Sequence, residues 1–230
     1  MNAVIYFSCT GHSKAVAEIA AAKLGFDLKE LDAQTHDEIL SRRYSTAVIV
    51  FPVHCQSYPV FLKNFFRRLN AERVALIATY GMANAGNAIY EAAKLISGKI
   101  VAAAYIPAGH SYLSDGFTPS ELPEVLIRKI SDPSPVEIPK RKKTPFAGFL
   151  PSLRSRAIVK IKRSDKCVGC NKCGDVCPQG AIERGRTTFK CVRCLKCVAS
   201  CPHGALTIKK ARILTRYLNR TKHNEIILFV

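Results

Sequence analysis

The chain has 230 residues, 48% of them hydrophobic and 23% charged, which is enough apolar material for one large or two small packed domains and too much for a disordered chain. Its longest apolar runs, residues 46–53 and 100–109, fall far short of the roughly 18 residues of a membrane span. The first residues carry neither a basic leader nor a long apolar region, so no signal sequence is expected and the protein reads as cytoplasmic. The net charge of +18 is unevenly distributed: residues 1–135 hold 13 Lys+Arg against 12 Asp+Glu, a balance of +1, which leaves 22 against 5, or +17, for residues 136–230. Two regions with different partners are expected.

Residues 1–132 alternate between short β-branched runs and amphipathic stretches, the pattern of an α/β domain with a doubly wound, five-stranded parallel sheet. Strands are predicted at 2–7, 26–31, 46–51, 74–80 and 99–106. Helices are predicted at 13–24, closed by Gly25, and at 59–69, 86–96 and 121–130. Residues 133–157 are basic and proline-rich and read as a linker that packs in part through Phe146, Phe149 and Leu150. Residues 158–209 form a second domain and 210–230 a basic tail, whose residues 225–230 have strand character and need a sheet edge to pair with.

Ten cysteines in a reducing compartment point to metal sites before disulfides, and eight of the ten lie between 167 and 201. They form a repeat. Cys167-x-x-Cys170-x-x-Cys173-x-x-x-Cys177-Pro recurs 24 residues later as Cys191-x-x-Cys194-x-x-Cys197-x-x-x-Cys201-Pro. Three thiolates on one tight loop can reach three irons of a single cubane, and in this arrangement the displaced cysteine before proline binds the other cluster. Cys167, Cys170, Cys173 and Cys201 are therefore expected to hold one [4Fe-4S] cluster, and Cys191, Cys194, Cys197 and Cys177 the second. A pair of structural zinc sites is the alternative use of eight thiolates. Over these residues the chain resembles bacterial two-cluster ferredoxins, a small α+β fold, at every ligand position.

The turn after the first strand, Ser8-Cys9-Thr10-Gly11-His12-Ser13, brings three hydroxyls and a glycine to a helix N-terminus, a place suited to a phosphate. A hydroxyl-rich turn that merely caps the helix is the plainer alternative. Neither a P-loop nor a G-x-G-x-x-G fingerprint is present. The loops after the third and fourth strands, 52–59 and 79–87, belong at the same carboxyl edge, where doubly wound sheets bind ligands. On these loops, followed by the cysteine repeat, the chain resembles the flavodoxin–ferredoxin fusion proteins of anaerobes, a flavodoxin-like domain ahead of a two-cluster ferredoxin.

That resemblance implies FMN as a cofactor beside the two [4Fe-4S] clusters. Ser8, Cys9, Thr10, Gly11, His12 and Ser13 would hold its phosphate, and Pro52, Val53, His54 and Cys55, with Thr79, Tyr80, Gly81, Gly86 and Asn87, would flank its ring. Tyr58, Tyr80, His54 and Tyr112 are candidates to lie against the ring, although for each alone an ordinary half-buried aromatic is the favoured reading. Cys9 and Cys55 are expected to be small apolar fillers that lie near each other.

Basic charge clusters at 140–143, 154–163 and 209–222. Such a surface suits an acidic redox protein as partner. An anionic membrane surface is a second option, through Ile213, Leu214, Tyr217 and Leu218 on one side of a helical tail; nucleic acid is a third, disfavoured because no recognition fold accompanies the charge. The expected function is electron transfer between FMN, the clusters and an external redox partner. The alternatives are a flavin-dependent reductase of a quinone, nitro compound or dioxygen, and a basic binding protein whose clusters are structural or redox-sensing.

Overall fold

A computed structural model describes residues 1–32, 35–113, 117, 119–143, 151–220 and 224–230, without the side chains of 151–154 and 220. The first domain runs β1 (Asn2–Tyr6), α1 (His12–Leu24), β2 (Asp27–Glu30), α2 (His36–Ser41), β3 (Tyr44–Pro52), α3 (Lys63–Arg68, preceded by a 3-10 turn), β4 (Ala71–Tyr80), α4 (Ala88–Ala93), β5 (Lys99–Pro107) and α5 (Glu124–Ser131). β1, β3, β4 and β5 are built from β-branched and small apolar residues and are buried almost throughout, because helices cover both faces of a parallel sheet. One face packs Ile5, Phe51, Phe65, Phe66, Leu76 and Ile89 under α2, α3 and α4. The other packs Val4, Val16, Val50, Ile77, Leu126 and Ile130 under α1 and α5.

The second part of the chain adds α6 (Pro151–Ile158), β6 (Val159–Arg163), α7 (Lys172–Asp175), β7 (Ile182–Glu183), β8 (Arg186–Thr187), α8 (Lys196–Ala199), β9 (Leu206–Lys210), α9 (Arg212–Arg220) and β10 (Ile227–Phe229). β6 pairs antiparallel with β9 and β7 with β8. Cys173, Cys197, Ile182 and Leu206 form their small core.

Two features differ from the sequence expectation. The main sheet has six strands in the order β10-β5-β4-β3-β1-β2, not five: β10 pairs antiparallel with β5, so the chain returns from the cysteine repeat to close that edge. Residues 133–143 of the expected linker pack through residues other than the three named from sequence. Val136 donates its N–H to Ile100 O at 2.9 Å, Ile138 packs on the first core face, and the Asn87 amide bonds both the N–H and the C=O of Arg141 at 2.6 Å. Phe146, Phe149 and Leu150 lie outside the described residues. Among the described residues no helix is long and apolar enough to cross a membrane.

Candidate functional site

The carboxyl ends of β1, β3, β4 and β5 open onto a cavity of about 250 Å³. Strands 1 and 3 diverge here, with β2 on one side and β4 on the other, so their following loops leave a crevice. Ser8, Cys9, Thr10, His12 and Ser13 line it from the first loop. Gly11 has φ 94, a conformation that favours glycine, and its N–H donates to Ser8 Oγ at 3.1 Å. No side chain caps α1. Ser13 and Thr79 hydrogen-bond each other at 2.7 Å in the interior, and Thr10 and Ser111 do so at 3.1 Å. Burial holds the His12 imidazole below its ordinary pKa.

Pro52, Val53, His54 and Cys55 line the cavity from the β3 loop. Paired bonds between the backbones of His54 and Ser57, at 2.8 and 3.1 Å, close this loop as a tight turn. Cys55 and Gln56 take φ 51 and 62 at its two left-handed positions, a strain of about 1 kcal/mol or more each for a residue with a Cβ. Thr79, Tyr80 and Gly81 contribute from β4, and a Cβ on Gly81 would lie 2.5 Å from the His110 ring.

Several expected contacts lie elsewhere. Gly86 and Asn87 do not line the cavity: a Cβ on Gly86 would meet Gln56 O at 2.2 Å, and Asn87 is occupied by Arg141, so both fix the loops to their neighbours. Gly11 shapes the turn without lining the cavity, and Tyr58 packs edge-on against Phe66 at 5.4 Å within the core. Tyr80, His54 and Tyr112 do line it. Cys9 is no simple filler, since its thiol hydrogen-bonds Cys194 of the second cysteine repeat.

That contact is part of a wall the sequence did not reveal. Arg193 and Cys194, Ser155 and Ile158 of α6, and Leu214, Tyr217 and Leu218 of α9 also line the cavity. Tyr112 donates its hydroxyl to Arg193 O at 2.9 Å, and its own carbonyl accepts from Lys210. Burial, with the nearby Cys55 and Cys194 thiols, pushes the Tyr112 hydroxyl far above its usual pKa. Lys196 pairs with Glu30 at 3.2 Å and lies over the Phe7 ring at 5.3 Å. Burial keeps the His54 imidazole below its ordinary pKa, and its ring bonds the backbone at Val192.

The repeat cysteines fall into two sets. Cys177, Cys191, Cys194 and Cys197 surround one small cavity, and Cys167, Cys170, Cys173 and Cys201 another. Backbone N–H groups of Ala181, Gly185 and Ala205 donate to Cys177, Cys173 and Cys201 Sγ at 3.2, 3.3 and 3.4 Å. Such donors favour thiolates and tune cluster potentials.

Residues 149–220 match the family model of a 4Fe-4S dicluster domain. No curated protein matches the chain. Among solved structures, a putative flavoprotein from Bacteroides uniformis is 18% identical over 47% of this chain and 91% of its own, with a TM-score of 0.36. Two-electron reduced Megasphaera elsdenii flavodoxin is 16% identical over 57% and 96%, with a TM-score of 0.40. The NAD(P)H:quinone oxidoreductase from Methanothermobacter marburgensis is 13% identical over 50% and 86%, with a TM-score of 0.32. Scores this low fix neither fold nor function; the fold rests on the strand order, 2-1-3-4-5 with β10 added, which is that of flavodoxin. The chain thus joins a flavodoxin-like α/β domain to a 4Fe-4S dicluster domain.

Proposed function

We propose that this chain is an electron-transfer protein that holds FMN at the carboxyl edge of its sheet and two [4Fe-4S] clusters in its cysteine repeat, and exchanges electrons with an external protein. One observation carries the reading: Cys194, a proposed cluster ligand, lines the same cavity as the hydroxyl-rich turn before α1. The residues fit both groups. Ser8, Thr10 and Ser13, with the uncapped N-terminus of α1, suit a phosphate. The two sets of four cysteines, with N–H donors on their sulfurs, suit two cubanes. Bound flavin exchanges one or two electrons and each cluster exchanges one. The chain's own residues hold these groups, exclude water and keep the separations short.

Cys170 is exposed while Cys191 and Cys197 are buried, an order that suits electron entry at the first set of cysteines and passage inward to the second. Leu214, Tyr217 and Leu218 line the cavity from α9, Leu218 buried and Tyr217 partly exposed, while Ile213 of the same helix faces outward. A lining supplied by the cysteine-rich part of the chain favours a carrier over a reductase open to bulky substrates. On the surface, Lys160 of β6 lies directly opposite Lys209 of β9, with Lys162 on the same face, and all three are exposed. Opposed like charges destabilise an isolated sheet and suit an acidic partner. The test is anaerobic reconstitution with iron, sulfide and flavin measured on one sample: about eight, eight and one per chain are expected. A colourless or zinc-loaded protein would overturn the reading.

A further inference from the structure

Arg193 stands in the second cysteine repeat where the first has Gly169. Both adopt the left-handed backbone, Gly169 at φ 75 and Arg193 at φ 59. Glycine takes this conformation freely; arginine does so at a cost, which persists only where the surroundings or a function require it. The side chain is only 8% exposed. Its Nε donates to Val159 O at 2.9 Å, and its carbonyl is fixed by the Tyr112 hydroxyl at 2.9 Å. Its Nη1 is buried and has no hydrogen-bond partner among the described residues. A buried guanidinium with an unused N–H is unfavourable, and Arg193 is one of the residues that line the cavity at the carboxyl edge of the sheet.

We propose that Arg193 is a flavin-binding residue contributed by the dicluster domain: its free Nη1–H donates to an acceptor atom of the isoalloxazine, so the flavodoxin-like domain alone forms an incomplete flavin site. The inference rests on the reading that this cavity takes FMN. It deepens that reading by giving the iron–sulfur domain a part in flavin recognition. Two-electron reduction of FMN with uptake of one proton leaves a negative charge on the ring, and a fixed guanidinium in a water-poor cavity stabilises that charge more than the neutral oxidised form. Arg193 therefore binds reduced flavin more tightly than oxidised flavin and raises the flavin potential. Because the same residue lies between Cys191 and Cys194, any shift of that loop is felt at both redox centres.

The experiment compares wild type, Arg193→Gly and Arg193→Lys as reconstituted, cluster-loaded protein. Arg193→Gly restores the residue of the first repeat and removes the backbone strain, and its thermal midpoint, read beside the binding, separates a loss of stability from a lost flavin contact. Its FMN dissociation constant, read from flavin fluorescence quenching, is expected to rise about ten- to a hundred-fold. Its flavin midpoint potential is expected to fall further than either cluster potential does. Arg193→Lys keeps the charge but loses the bond to Val159 O, and should lie between the two in both readouts. Unchanged FMN affinity and flavin potential in Arg193→Gly, with a shift confined to a cluster or to thermal stability, would assign Arg193 to the cluster loop and overturn the proposal. Failure of wild type itself to bind FMN would instead overturn the functional reading on which it rests.

Discussion

Cys9 and His54 carry the hydroxyl-rich turn before α1 and the β3 loop to the cysteine repeat, Cys9 at Cys194 and His54 at Val192. The Cys9 hydrogen bond holds the Cys194 thiol below its ordinary pKa, while Cys9 itself is held well up by the same bond and by burial. Hydrogen bonds to ligating sulfurs raise cluster potentials. Cys9→Ala should therefore lower the potential of one of two clusters, the one held by Cys194, and leave the other in place; voltammetry showing both unmoved, or both moved equally, would contradict this. His54 makes a pH prediction. Its folded pKa lies below the unfolded 6.5 because burial disfavours the charged form. Below about 6.5 the unfolded chain thus binds a proton that the folded chain refuses, so stability is full above that pH and falls as pH drops toward the folded value. The midpoint of thermal unfolding should decline between pH 7 and pH 5.5, and His54→Gln should decline less. The sequence marked Cys9 and His54 as cavity residues because the first-strand turn and third-strand loop are local features. It could not show that they meet Cys194 and Val192, since contacts between domains leave no periodicity in either segment.

At the scale of elements, the strands easiest to read were those buried on both faces. β3, β4 and β5 are runs of Val, Ile, Leu, Ala and Phe with turn residues between them, and each was expected within a few residues of its place. α2 went unread because its six residues bury only Ile39, too little for a helical period to emerge. β10 was legible as a strand, but its partner was not. Pairing with β5 depends on the dicluster domain folding back so that Leu228 meets Ala104, Phe229 packs edge-on to Tyr105 at 6.4 Å, and the Tyr80 hydroxyl reaches Glu225 O at 2.6 Å. Leu228→Pro puts a residue without an N–H, with its φ fixed by the ring, in the middle of the three-residue paired strand and should weaken that pairing. Faster hydrogen exchange is expected at β5 amides near Ala104, together with a lower urea midpoint. Exchange confined to β10, with β5 as protected as in wild type, would show that the edge does not depend on it.

Across the whole molecule the charge is segregated, with +1 on residues 1–135 and +17 on the remainder. With the proposed two clusters, each about −2 with its four thiolates, and an FMN phosphate of about −2, the loaded protein would remain near +12 by that arithmetic. Not every cation is available to a partner. Lys196 is spent on Glu30 inside the domain interface, so reversing it would loosen the interface as well as change the field, whereas Lys172 is exposed and is the cleaner probe of cluster potential. Lys160, Lys162 and Lys209 form an exposed stripe over the β6–β9 pair that flanks the cysteine repeat. Long-range attraction between unlike charges raises encounter rates and is screened over about 10 Å at 0.1 M salt. The second-order rate of reduction by a small acidic ferredoxin should fall about tenfold or more from about 50 to 500 mM salt. Lys160→Glu with Lys209→Glu should lower the rate at low salt and flatten its salt dependence, while the rate with a neutral quinone stays level in every case. If wild type and the double variant show the same salt profile with the acidic protein, electrons enter through some other face than the β6–β9 stripe.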